Sequence, residues 1–161
     1  MRITEVLVVD DDIKICRIIH WMLSDEQYKV QTSQSVADAL RAIEQKHFDA
    51  YVIDCILRDG SGLDVAERIR SKRGATPIIL ISGYDPHVVA LKAEKLRISE
   101  FLEKPFSRDV ICEAVKKAID PSNAASLSLG DPPISPVMSG SAGTRFWKRR
   151  PKSSHPGSDN A

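Results

Sequence analysis

The stretch Ile3-Thr4-Glu5-Val6-Leu7-Val8-Val9, running directly into Asp10-Asp11-Asp12, decides the architecture. A short run rich in β-branched residues, ended abruptly by charge, reads as a strand buried on both faces, as strands are inside parallel sheets. It is too short to span a membrane, and the charges follow it where a secretion signal would carry small residues. No other stretch approaches a spanning length. Cys16, Cys55 and Cys112 are odd in number and lack metal-type spacing, which fits a reducing compartment. The expectation is a cytoplasmic protein.

Outward from this strand, two kinds of segment alternate. Ala50–Ile53 and Pro77–Ile81 repeat the buried-strand pattern, and Lys29–Thr32 and Glu100–Leu102 are weaker versions of it. Between them lie apolar residues at helical spacing. Ile15, Ile18, Ile19 and Met22 form one stripe; Val36, Ala39, Leu40 and Ile43 form a second; Ile111, Ala114, Val115 and Ala118 form a third. Leu63, Ala66 and Ile69 mark a helix after the third strand, and Val88, Leu91 and Leu96 one after the fourth. Ser35 and Ser107 stand as N-caps of the helices they precede. Strand–helix alternation of this kind predicts a single doubly wound α/β domain: a five-stranded parallel sheet with helices on both faces. Right-handed crossovers then send every strand's carboxyl end to the same edge, where such sheets bind ligands.

With 42% hydrophobic and 28% charged residues the chain can build a core, and a formal net charge of +1 gives no overall pull toward nucleic acid or membrane. The balance is uneven along the chain. Residues 1–121 carry 18 Lys and Arg against 20 Asp and Glu, whereas residues 122–161 carry 5 against 2. That second segment holds 9 Ser, 5 Pro and 4 Gly among its 40 residues, with no sustained apolar period. It is expected to be a disordered, basic tail, which sets the domain at residues 3–120 and the tail at 122–161. Within the tail, Arg145, Phe146, Trp147, Lys148, Arg149, Arg150 and Lys152 could touch acidic lipid or nucleic acid; a solvated tail is the plainer reading.

The chemistry-bearing residues follow the strands. The first strand ends in Asp10-Asp11-Asp12, the third in Asp54, the fourth in Ser82-Gly83 and the fifth in Lys104-Pro105. Carboxylates brought together repel unless a cation neutralises them, and an all-oxygen site with few protein ligands suits Mg2+. A lysine and a hydroxyl opposite the metal would complete a pocket for a phosphoryl group. Taken singly, each piece has an ordinary explanation: an acidic triplet as a polar helix start, Ser82-Gly83 and Lys104-Pro105 as turns, Phe101 as core. Their joint order is what carries the reading.

Val8-Val9-Asp10-Asp11-Asp12, Ile53-Asp54, Asp59-Gly60-Ser61-Gly62, Ile81-Ser82-Gly83 and Phe101-Leu102-Glu103-Lys104-Pro105-Phe106 resemble the signature of bacterial response-regulator receiver domains over roughly residues 3–120. The resemblance implies a flavodoxin-like fold with strand order 2-1-3-4-5. It implies that Asp54 takes a phosphoryl group from a histidine kinase or phosphotransfer protein in a two-component phosphorelay, with Lys104 and Ser82 contacting the phosphoryl oxygens. Mg2+ would be held by Asp11, Asp54 and the backbone carbonyl of Ile56, with Asp10 acting through a water. Movement of Ser82 would let Phe101 rotate, reshaping a face that a downstream protein reads. The resemblance further implies a stand-alone switch rather than an enzyme, and no helix-turn-helix pattern gives it a DNA-binding domain.

Three departures from the family pattern stand out. Arg58 replaces a frequent proline and makes the loop after Asp54 more basic and less rigid; Arg97-Ile98 replaces a small Gly-Ala pair; and Ile56 and Tyr84 flank the expected path of an attacking water. These two are expected to slow loss of the phosphoryl group. His20, His47, His87 and His155 have no partner pattern and read as surface or packing residues, and Cys55 as a small buried residue. Two other functions are to be weighed. A haloacid-dehalogenase-type phosphatase also uses a strand-end Asp, a Ser and a Lys, but it needs a further acidic pair and room for a cap, and neither is found here. A pseudo-receiver that binds without being phosphorylated conflicts with retention of every charged part.

Overall fold

A computed structural model of the chain describes residues 3–83, 90–124, 134–139 and 144–149. The elements in order are β1 (Glu5–Val9), α1 (Ile13–Ser24), β2 (Lys29–Ser33), α2 (Val36–Gln45), β3 (Ala50–Asp54), β4 (Ile56–Leu57), β5 (Gly60–Ser61), α3 (Gly62–Arg73), β6 (Ile78–Ser82), α4 (Ala90–Lys95), β7 (Glu100–Glu103), α5 (Arg108–Ile119), α6 (Pro121–Ala124), β8 (Ile134–Ser139) and β9 (Thr144–Arg149). Strands β2, β1, β3, β6 and β7 lie side by side in that order, each parallel to its neighbour. This is the doubly wound 2-1-3-4-5 arrangement expected from the sequence.

The sheet separates two cores because successive strand residues point to opposite faces. Leu7, Val9, Tyr51, Ile53, Ile78, Leu80 and Phe101 face α2, α3 and α4. Val6, Val8, Val52, Ile79, Ile81 and Leu102 face α1 and α5. Both sides of β1, β3 and β6 are therefore dry, which is why those strands show no polar alternation. Fully burying one such side chain contributes roughly 1.5–3 kcal/mol.

Helix faces match the stripes, with one rotation. Ala39 and Ile43 of α2, Leu63, Ala66 and Ile69 of α3, and Ile111, Ala114 and Val115 of α5 are buried. In α1 the buried set is Cys16, Ile19 and Leu23, and Ile18 is exposed. This helix carries apolar residues nearly all round, so their spacing alone does not select a face. Ser35 caps α2 by accepting the Asp38 N–H at 3.0 Å. Ser107 occupies the N-cap position of α5 without a side-chain bond there.

At the outer edge of β7 the structure adds something composition did not reveal. Strand β9 pairs antiparallel with β7, Phe101 opposite Trp147 and Leu102 opposite Phe146, and β8 pairs antiparallel with β9. Both strands lie within residues 122–161. An edge strand offers unpaired backbone groups, and the local run Thr144–Arg149 meets them although its surroundings are rich in Ser, Pro and Gly. Pro136 is tolerable because β8 is itself an edge. The remainder of that segment, residues 125–133, 140–143 and 150–161, lies outside the described residues. No helix among the described residues is long and apolar enough to cross a membrane.

Candidate functional site

The end of β1 delivers Asp10 into the sheet edge, where it is 1% exposed. Its Oδ1 accepts the Asp12 N–H at 2.9 Å, and its Oδ2 takes the Lys104 ammonium at 2.7 Å. Asp12 is spent on structure: its side chain accepts the Lys14 N–H at 2.8 Å and caps α1. Asp11, between them, keeps its carboxylate partly in solvent, 3.6 Å from Arg58 Nε.

Strand β3 delivers Asp54 beside this group. Its Oδ1 accepts the Ile56 N–H at 2.9 Å and its Oδ2 pairs with Lys104. The chain then leaves the sheet through the short β4–β5 hairpin and returns at Gly62, whose N–H meets the Cys55 carbonyl at 3.0 Å. A Cβ at position 62 would lie 1.9 Å from the Asp54 carbonyl oxygen, so only glycine allows α3 to start this close to β3. Strand β7 supplies Lys104, whose N–H binds the Ser82 carbonyl at 2.7 Å, and the Lys104–Pro105 peptide is cis. Ser82 is buried at the end of β6, and its hydroxyl is a hydrogen-bond partner of the Cys55 thiol. Asp10, Asp11, Asp54, Ser82 and Lys104 thus come to one edge from four strands.

The electrostatics are unbalanced. Asp10, Asp54 and Asp11 face a single inward lysine. Two unit charges about 4 Å apart interact by roughly 4 kcal/mol at an effective dielectric near 20, so carboxylates gathered here strain against one another. Burial pushes the Asp10 carboxyl upward, opposed by its bond to Lys104. Burial pulls the Lys104 ammonium down, but its bonds to Asp10 and Asp54 outweigh that and raise it overall, which keeps it protonated. Cys55 is pushed up to about 12, by burial first and the Asp54 charge second, and so remains a neutral thiol rather than a nucleophile.

Among the described residues no three His, Cys, Asp or Glu side chains form a ready-made metal cage. Mg2+ does not require one, since it keeps several waters and takes one or two carboxylates. Asp11, partly exposed, and Asp54, with the Ile56 backbone fixed next to it, provide an all-oxygen donor set in a site short of positive charge. The residues present therefore fit a hard divalent cation. Asp10 is committed to Lys104, which leaves it an indirect part in holding one.

Phe101 is buried in the core beside α4. Ile56 is 54% exposed at the site mouth, whereas Tyr84, named with it as a shield against water, lies outside the described residues. His20 and His47 are exposed; His87 and His155 lie outside the described residues. Asp59 and Gly62, both in the Asp59-Gly60-Ser61-Gly62 motif, have structural work that spacing along the chain does not signal. Asp59 accepts the Val36 N–H at 2.8 Å and the Ala37 N–H at 3.2 Å, tying the loop after Asp54 to the start of α2. The loop bearing Arg58 is consequently pinned despite lacking a proline.

The family described as response regulator receiver domain matches residues 6–116. The acid tolerance regulatory protein ActR of Rhizobium meliloti is 36% identical over 109 residues, covering 68% of this chain and 56% of ActR. The transcriptional regulatory protein ZraR of Salmonella typhimurium is 30% identical over 115 residues, covering 71% of this chain and 26% of ZraR. Among solved structures, the response regulator TrrA of Thermotoga maritima, in complex with Mg2+ and BeF, superimposes with a TM-score of 0.66 at 30% identity, covering 72% of this chain and 99% of TrrA. The chain therefore spans about half of ActR and about a quarter of ZraR. The expectation of partners limited to a kinase or phosphotransfer protein and a downstream protein, with no DNA-binding output, is overturned by these relatives: ZraR is a transcriptional regulator, and the region alike is a minor part of it.

Proposed function

We propose that this chain, which belongs to the response regulator receiver domain family, is a phosphorylation switch that accepts a phosphoryl group on Asp54. The observation that carries the proposal is the Asp54 carboxylate at the end of β3, tethered by the Ile56 N–H on one oxygen and by Lys104 on the other. In the transfer a P–N bond of a phosphohistidine breaks as a P–O bond to Asp54 forms, and the imidazole nitrogen keeps the bonding pair. Lys104, already held on Asp54 Oδ2, meets the charge that builds on the transferring oxygens. Asp11, Asp54 and the Ile56 carbonyl would hold Mg2+, which supplies further neutralisation of those oxygens. No substrate is turned over, since the acceptor is the protein's own side chain and hydrolysis resets it.

The output follows from charge. A phosphoryl group adds nearly two negative charges and three acceptor oxygens beside Ser82 and Lys104. Ser82 then exchanges its neutral thiol partner for an anion, and Phe101, two residues from the sheet's Glu103 terminus, responds on the α4 side. A local charge thereby biases a two-state surface. We place this chemistry in the cytoplasm, with a kinase or phosphotransfer protein as donor. The test is incubation with acetyl phosphate and Mg2+ followed by intact mass. The native protein should gain one phosphoryl group and Asp54→Ala none; no gain in either would leave a binding module without the switch.

A further inference from the structure

We infer that Arg58 is a built-in competitor for the cation-binding carboxylate: in the unphosphorylated protein it neutralises Asp11, and a divalent cation must displace it. This rests on the receiver reading and concerns the affinity of that same site. Lys104 is spent on Asp10 and Asp54, and the ion pair found for Asp11 among the described residues is with Arg58, Nε to Oδ2 at 3.6 Å. The Arg58 side chain is 82% exposed, so side-chain packing does not place it there. The backbone does. Leu57 pairs with Gly60 in the β4–β5 hairpin, and the neighbouring Asp59 grips two N–H groups at the start of α2. A guanidinium is thus presented at the mouth of a site otherwise dominated by carboxylates.

The competition has a direction. Asp11 is the least buried of the site's acids, and so the one with a coordination face toward water. A dication brings twice the charge of Arg58 and binds at closer range, while the exposed guanidinium loses little on returning to solvent. The cation wins, but its affinity is reduced by whatever the ion pair contributed. Exposed pairs of this kind correspond to about a 1.5- to 5-fold change in an equilibrium constant. Arg58 therefore raises the Mg2+ concentration at which Asp54 becomes competent.

The experiment is calorimetric titration of the full unphosphorylated chain with MgCl2 at low ionic strength, comparing native protein, Arg58→Ala, Arg58→Lys and Asp11→Asn. Arg58→Ala should bind Mg2+ about 1.5- to 5-fold more tightly. The gap should close near 0.5 M KCl, where screening shrinks to roughly 4 Å. Arg58→Lys should stay close to native, and Asp11→Asn should lose binding. Equal or weaker binding in Arg58→Ala, with native protein binding normally, overturns the inference and leaves the receiver reading standing. Absence of Mg2+ binding in the native protein overturns both.

Discussion

The two ends of the parallel sheet use the same charged residue types to opposite effect. At the amino ends of the strands, charges are matched. Glu5 pairs with Lys29 at 2.8 Å and with Lys46, and Asp49 accepts the Glu5 N–H at 2.9 Å. Arg70 alone gives hydrogen bonds to the carbonyls of Leu96, Gly74, Thr76 and Arg97, binding together the segments that enter β6 and β7. At the carboxyl ends Asp10 and Asp54 share one half-buried lysine, Lys104, and Asp11 has only the exposed Arg58 beside it among the described residues. A satisfied end stabilises and is chemically idle. An end left short of positive charge favours a cation, which is what the proposed phosphorylation switch requires, and that shortage is what separates a site from a scaffold.

The contrast can be broken most severely at Gly62. Gly62→Ala drives a Cβ into the Asp54 carbonyl and should cost about 3 kcal/mol or more, read by urea denaturation, with phosphorylation lost alongside. Lys104→Ala tests the shortage directly. It leaves Asp10 and Asp54 buried without their cation and should cost about 2 kcal/mol, less than a fully buried pair because Lys104 is 23% exposed. Added Mg2+ should restore part of that loss, whereas it should not rescue a variant at the matched end.

The matched end has its own weak point. Arg97 sits at φ 49°, a left-handed conformation that glycine adopts without penalty. Arg97→Gly should raise stability by about 0.5 kcal/mol, since Arg70 holds the carbonyl of residue 97 whatever its side chain. The smallest effect lies at Glu5, lowered to about 2 chiefly by its bond to Lys29 and then by Lys46. A depressed acid contributes stability that is complete above its unfolded value of 4.5 and disappears as pH falls through about 2. The melting temperature should fall over that interval slightly more in native protein than in Glu5→Gln.

Much of this was legible because buried parallel strands leave unmistakable apolar runs, and the polar residues of the candidate site come directly after them. The positions of Asp10, Asp11, Asp54, Ser82 and Lys104 directly after strands suffice to place them at one edge. What stayed hidden depends on contacts that sequence does not encode locally. Asp59 works on N–H groups 22 and 23 residues away, and Arg70 works on carbonyls that every residue possesses. Helix α1 concealed its buried face by having too many apolar residues, Ile18 and Trp21 among the exposed ones.

The closeness of Gly62 to Asp54 has a consequence for inheritance as well as for energy. On the proposed reading, a replacement at Asp54 removes the reacting carboxylate without adding an atom between β3 and α3. Position 62 offers no such intermediate, because every replacement begins with the same colliding carbon. If the proposed phosphorylation holds, a lineage abandoning it would be free to drift at Asp54 while remaining bound at the glycine, which would outlast that chemistry.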